Sequence, residues 1–146
     1  MRMLAAALLA STLTAGCSEP APAAIVYDSD ACDHCRMTIA APAFAAQLVT
    51  RTGKRYRFDD LACLAAFASS GRVAAQDIHS IWLNDHAHPE ARVNVEEVVI
   101  LVSERIKAPM NGHMAAFASR DDAAALRVAV GGTIGRWADI GKRGGS

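Results

Sequence analysis

FAAQLVT-RTG-KRYRF-DD-LACLAAFAS, residues 44–69, changes its pattern three times in quick succession. Phe44 to Thr50 and Lys54 to Phe58 read as two strands, with Thr52-Gly53 supplying the turn between them. Asp59 and Asp60 then offer N-cap oxygens to a helix from Leu61 to about Ser69, which Gly71 closes. Leu61, Leu64, Ala65 and Ala68 fall at helical spacing and give that helix a buried face. Ile78 to Leu83 is the returning strand. Downstream, Glu97 to Val102 is a β-branched run of the kind found in buried strands, and Ala115 to Ala118 is its partner. Asp121 and Asp122 precede a second helix, Ala123 to Val130, ended by Gly131-Gly132, and Thr133 to Trp137 forms a last strand. Asp59, Asp60, Ala62 and Leu64 match Asp121, Asp122, Ala124 and Leu126 at a constant offset of 62. An internal duplication and the general likeness of capped helices both explain that match. The expected class is α+β, two similar ββαβ units over 32–90 and 91–146.

The front of the chain reads as an address. Met1 to Gly16 holds eleven hydrophobic residues and one charge, Arg2; its apolar stretch, Leu4 to Leu13, is too short for a stable membrane span. Thr14-Ala15-Gly16-Cys17 resembles a bacterial lipobox, which implies cleavage before Cys17 and acylation of that cysteine. An ordinary secretory signal is the competing reading. Residues 17–31 then form an anchor and tether, flexible where Pro20 and Pro22 lie among small residues. Such an anchor holds a protein on a membrane without spanning it. The sorting rule for Ser18 after the acylated cysteine points to the outer membrane, facing the periplasm.

Without the leader, 130 residues remain, with 14 basic and 15 acidic side chains. That balance argues against nucleic acid as a partner. No further apolar run of about 18 residues follows, so no spanning helix is expected. The size excludes a large multidomain enzyme, and no nucleophile–base triad, phosphate loop or paired-carboxylate site stands in the sequence. With Cys17 acylated, Cys32, Cys35 and Cys63 are left, an odd number that cannot all pair within one chain.

Two short stretches concentrate the soft ligands, Cys32-Asp33-His34-Cys35-Arg36-Met37 and Pro109-Met110-Asn111-Gly112-His113-Met114. They contain all three methionines outside the leader. Methionine ordinarily fills cores; gathered beside Cys and His, it points to a site for a soft cation such as Cu(I). Zinc more naturally takes a closed tetrahedral set of Cys, or of Cys with His. Each element also has a plainer reading. Cys32 and Cys35 carry the spacing of a redox disulfide. Met110 and Met114 fit packing, and His113 fits an exposed loop. Cys63, inside an apolar helix, reads as a small core residue and is left outside the site. Asp59 and Asp60 read as helix caps, although paired thiols near an acid would also suit organomercurial cleavage. His86 and His88 read as a polar turn.

Taken together, the lipobox at Cys17, Cys32-x-x-Cys35-x-Met37, Phe58-Asp59-Asp60-Leu61-Ala62-Cys63 opening a helix, and Pro109-Met110-x-Gly112 resemble the NosL family of copper-chaperone lipoproteins. The resemblance runs from about Cys32 to Trp137. It implies two ββαβ units similar to part of organomercurial lyase. It also implies Cu(I) bound through Cys35, Met37 and Met110, and delivery to apo nitrous oxide reductase and its ABC-type assembly complex. Family members usually carry Gly where this chain has Arg36. Chemistry and proximity add His113, Met114 and Cys32 as candidates for a further ligand. The expectation is therefore a binding and delivery protein rather than an enzyme. A thiol–disulfide oxidoreductase using Cys32 and Cys35 is the alternative.

Overall fold

In the computed structural model, residues 18–140 are described; the leader over 1–16 and the Cys17 anchor lie outside them. The Gln-Leu-Val run becomes β1, Ala46–Thr50, buried along its whole length. It is the inner strand of an antiparallel sheet, flanked by β2 (Arg55–Phe58) and β3 (Ile78–Asn84). Phe44, expected in that strand, instead ends a 3-10 turn, Pro42–Phe44; Pro42 fixes φ at the turn's start and has no N–H for a ladder. A short strand β4 (Arg92–Asn94) pairs with β3, completing the order β2-β1-β3-β4.

α1 (Leu61–Ser69) follows β2 and buries Leu61, Cys63, Leu64 and Phe67. Phe67 takes a place in the buried face that the sequence pattern had given to Ala68, because its ring stacks on Tyr56 and Phe58 at centroid distances of 4.7 and 5.2 Å. Only Asp60 caps the helix, accepting from Ala62 N–H at 2.6 Å. The expectation that Asp59 shares this role is corrected; its carboxylate turns to the thiols described below.

The second half repeats the connectivity. β5 (Val99–Val102) is the centre of a three-stranded antiparallel sheet, between β6 (Met114–Phe117) and β7 (Thr133–Arg136), in the order β6-β5-β7. α2 (Arg120–Val130) joins β6 to β7, and a short α3 (Trp137–Ile140) follows. Each half thus reads strand, strand, helix, strand, with its first strand in the middle, as an α+β fold of two ββαβ units requires. The helix caps differ. Ser119, not Asp121 or Asp122, caps α2 by accepting from both of their N–H groups. The two aspartates sit in the first turn, where negative charge favours the helix dipole. Ser119 lies 59 residues after Asp60, so the sequence match at 62 is not the structural equivalence of the caps.

One face of the second sheet joins the core of the first, while Leu101, Ala115, Phe117 and Ala123 form a second cluster. Ile100 and Ala116 of the second sheet belong to the apolar cluster containing Leu48, Phe58, Leu64 and Leu83. Residues 86–90 form the expected turn, and within it His86 N–H donates to Ala116 C=O at 2.7 Å while its ring packs against Phe44 and Phe117. The segment expected as a flexible tether is held at its end: Gln47, 1% exposed, both donates to and accepts from the Ala23 backbone, at 2.6 and 3.1 Å. A buried amide must find partners, and this stretch of backbone provides them. No helix among the described residues is long and apolar enough to cross a membrane.

The loop from Ser103 to His113 is closed at its base by Ser103 N–H donating to His113 C=O at 2.9 Å. Its tip reaches the start of α1, where Met110 and Gly112 N–H donate to Asp60 Oδ2 at 2.9 and 3.4 Å. A Cβ at Gly112 would collide with Asp60 Oδ1 and stand 2.9 Å from Ala62 Cβ, so only glycine permits this approach. Removing the carboxylate forfeits a helix cap, worth about 1 kcal/mol, and leaves loop N–H groups unpaired at about 1–3 kcal/mol. Asp60→Ala is therefore expected to destabilise the protein by about 2–4 kcal/mol in denaturant titration.

Candidate metal centre

Cys32 to Met37 forms a tight loop. Cys32 N–H donates to Met37 C=O at 2.8 Å, and Arg36 N–H donates back to Cys32 C=O at 3.0 Å. Four residues turn the chain, and the last of them, Arg36, stands at φ +69°. This left-handed conformation is the one glycine adopts at no steric cost, and here Arg36 holds it. The loop is fastened to β2 from both sides of Asp33. Its N–H donates to Arg57 C=O at 2.8 Å, and its carboxylate accepts from Arg57 N–H at 2.7 Å.

The fastening sets the two loop thiols above the first turn of α1. There the ligand atoms of Cys32, Cys35, Cys63 and Asp59 all lie within 4.8 Å of one another. All three cysteines are free thiols. Cys32, Cys63 and Asp59 are buried, at 0, 3 and 2% exposure, whereas Cys35 is partly open to solvent. The Cys35 thiol donates to both oxygens of Asp59, at 3.7 and 3.6 Å. Burial pushes the Cys32 thiol above its ordinary range. Burial also raises Cys63, assisted by the neighbouring Cys32 and Asp59 charges. In the absence of a cation both thiols stay protonated at neutral pH.

Cys63 is buried in the core, as its apolar helix implies, packed in the main apolar cluster with its sulfur beside the loop thiols. The signal for it in the sequence was the odd thiol count. Its position three residues past the Asp60 cap turns it inward, toward the Cys32 loop.

The remaining predicted ligands are Met37, Met110, His113 and Met114. Met37 follows Cys35 and is 56% exposed; Met110 is 38% exposed. Neither thioether is packed away, contrary to the usual use of methionine. Met110 reaches the region through Asp60, the residue next to the Asp59 that touches Cys35. His113, at φ +54°, has a buried Nδ1 without a hydrogen-bond partner, and its Nε2 lies 3.5 Å from Glu104. Met114 opens β6 and packs against the main core.

Fold and site together define a small α+β protein whose two halves carry soft sulfur side chains on loops tied to one helix start. The NosL family pattern matches residues 23–143, and the chain belongs to the NosL family. Among solved structures, the copper chaperone NosL from Shewanella denitrificans is similar in fold, with a TM-score of 0.71 at 19% identity. The match covers 81% of this chain and 94% of that one. A comparison with curated proteins found no match.

The raised thiols have a measurable consequence. A group whose pKa is higher folded than unfolded adds stability that is complete below the unfolded value and is lost as pH climbs through the folded one. With unfolded thiols titrating near about 8.5, the reduced, metal-free protein should lose stability as pH rises from that point. Denaturant midpoints between about pH 7 and 10.5 test this, and Cys63→Ala should flatten the decline.

Proposed function

We propose that this NosL-family chain is a lipid-anchored protein of the cell envelope, facing the periplasm, that binds Cu(I) through Cys35, Met37 and Met110. In this reading it delivers the ion to apo nitrous oxide reductase and its ABC-type assembly complex, and does so as a carrier, not as an enzyme. The observation that carries the reading is a partly open, free thiol at Cys35 with two exposed thioethers, Met37 and Met110, on loops joined through Asp59 and Asp60. Thiolate and thioether sulfur are the ligands a soft monovalent cation prefers.

The exposure of the set matters as much as its chemistry. A carrier must surrender its cargo, and ligands at the surface can be replaced one at a time by those of a recipient. Cys35 loses its proton to bind, so affinity falls as the solution is acidified. The two methionines carry no proton to lose, so they remain competent ligands throughout. His113, with its unpartnered Nδ1, is a further candidate from the same loop; Met114 and Cys32 are others. An anchor at Cys17 would keep the carrier beside membrane-bound assembly machinery.

Anaerobic Cu(I) competition against a chelator of known affinity tests the reading. The reduced protein should bind one copper per chain. Cys35→Ser should weaken binding by at least about tenfold, or 1.4 kcal/mol, as should Met37→Leu with Met110→Leu together. Weak binding that is unchanged in Cys35→Ser would return Cys32 and Cys35 to disulfide chemistry.

A further inference from the structure

The first sheet has two unlike ends. β2 leaves the Thr50–Lys54 turn at Arg55 and finishes at Phe58, where Asp59 and the thiols stand. The nine residues of α1 then carry the chain about 14 Å back along the sheet. Arg72 and Asp77, which follow α1, line one hollow with Arg51, Lys54 and Tyr56 beside the turn. The turn end is therefore opposite the end that carries Cys35 and Met110. Arg51, Lys54, Arg55 and Arg72 are all exposed there. Arg51 Nε donates to Gln76 C=O at 2.7 Å, and Lys54 Nζ stands 4.6 Å over the Tyr56 ring. Two acidic side chains, Asp77 and Glu19, share this end, and Glu19 meets His79 at 3.4 Å. Among the described residues none of the four basic side chains forms an ion pair, so their charge is open to solvent.

The segment before β1 is laid along the same sheet toward that end. Ala23 is bonded to Gln47, which pairs with Arg57 and Trp82 in the body of the sheet. Ala21 C=O accepts from Arg55 Nε at 2.7 Å, and Glu19 reaches His79, the second residue of β3. Followed backward from Ala23, the chain thus climbs from the middle of β1 to the turn. Cys17 is two residues before Glu19, and two residues of chain reach no further than about 7 Å. A lipid on Cys17 enters a membrane at the basic end of the domain.

We propose that Arg51, Lys54, Arg55 and Arg72 form a docking surface for the headgroups of an anionic phospholipid membrane. With an anchor at Cys17, this surface stands the domain on the bilayer with Cys35, Met37 and Met110 directed away from it. The orientation rests on the anchor reading above; the affinity for anionic headgroups does not. Guanidinium groups pair with phosphate through two N–H donors, and lysine adds a point charge. The hollow between Arg51, Lys54 and Arg72, about 310 Å3, admits a phosphate group. A membrane suits the arrangement better than a single soluble anion, because the charges lie on both faces of the sheet. Arg55 bonds to the segment crossing one face, whereas Arg72 lies over Phe67 of α1 on the other, 5.6 Å from its ring centre. Each Lys or Arg near an anionic surface strengthens attachment by about fivefold.

Co-sedimentation with lipid vesicles tests the surface. The chain from Ser18 onward holds every described strand and helix and both apolar clusters, so it folds without leader or anchor. It should bind vesicles containing phosphatidylglycerol but not vesicles of phosphatidylcholine alone, and NaCl should release it by screening. Arg51→Glu with Lys54→Glu, both exposed and remote from the thiols, should weaken partition onto the anionic vesicles by at least about tenfold. The Cu(I) affinity of that variant should equal the wild type's. Failure to bind the anionic vesicles, or equal binding to both kinds, would overturn the proposal. So would equal binding by the folded double variant. Release by inorganic phosphate at an ionic strength where chloride leaves the protein bound would also overturn it, marking a site for a free anion. A chain found unacylated at Cys17 would instead refute the anchor reading and leave the vesicle result standing.

Discussion

The Asp60 carboxylate is the constraint on which the rest of the site depends. It is wholly buried, an arrangement that is costly unless every oxygen is matched by a donor. One oxygen caps α1 and the other receives the tip of the Ser103–His113 loop. The N-terminus of a helix favours the negative charge, so the helix that needs the cap also stabilises the anion that docks the loop. Because Asp59 precedes it and touches Cys35, two consecutive residues bring a sulfur loop from each half of the chain to one place. Gly112 is the steric condition for this: a side chain there would occupy the space of the carboxylate.

The sulfur side chains divide by exposure. Cys32 and Cys63 lie inside the main core and are held protonated by burial, while Met37 and Met110 face solvent and Cys35 stands between the two groups. Side chains at the surface are within reach of a recipient's ligands, whereas the inner thiols are shielded by the core.

Much of the fold was legible because its signals are local. The alternation and length of the strands, the Asp60 cap and the glycines that end each helix follow from short-range rules, and both ββαβ units follow from them. The errors came where a short-range rule gave two residues the same role. Asp59 and Asp60 are chemically identical in the sequence, yet only one sits at the cap, since the N-cap is the one residue directly before Leu61 and its side chain is the one that reaches Ala62 N–H. Asp121 and Asp122 were likewise displaced from the cap by Ser119, whose hydroxyl reaches both of their N–H groups. Cys63 reads as core from its apolar neighbours and is core, but its meeting with Cys32 and Cys35 is a tertiary contact the pattern does not show. The meeting of the two ligand loops depends on Asp60 receiving Met110 across 50 residues, a tertiary contact that no local periodicity encodes.

Asp60→Asn isolates that contact. Asparagine retains an oxygen to cap α1, but its amide NH2 replaces the oxygen that accepts from Met110 and Gly112. The Cu(I) affinity of this variant, measured by anaerobic chelator competition alongside a check of its folding, is the most direct test of the docking. If Asp60 assembles the copper ligands from the two halves, the folded variant binds Cu(I) at least about tenfold more weakly than the wild type, a loss of 1.4 kcal/mol. Wild-type affinity in the folded variant would contradict it, and would mean that the Cys32–Met37 loop holds the ion without the second half.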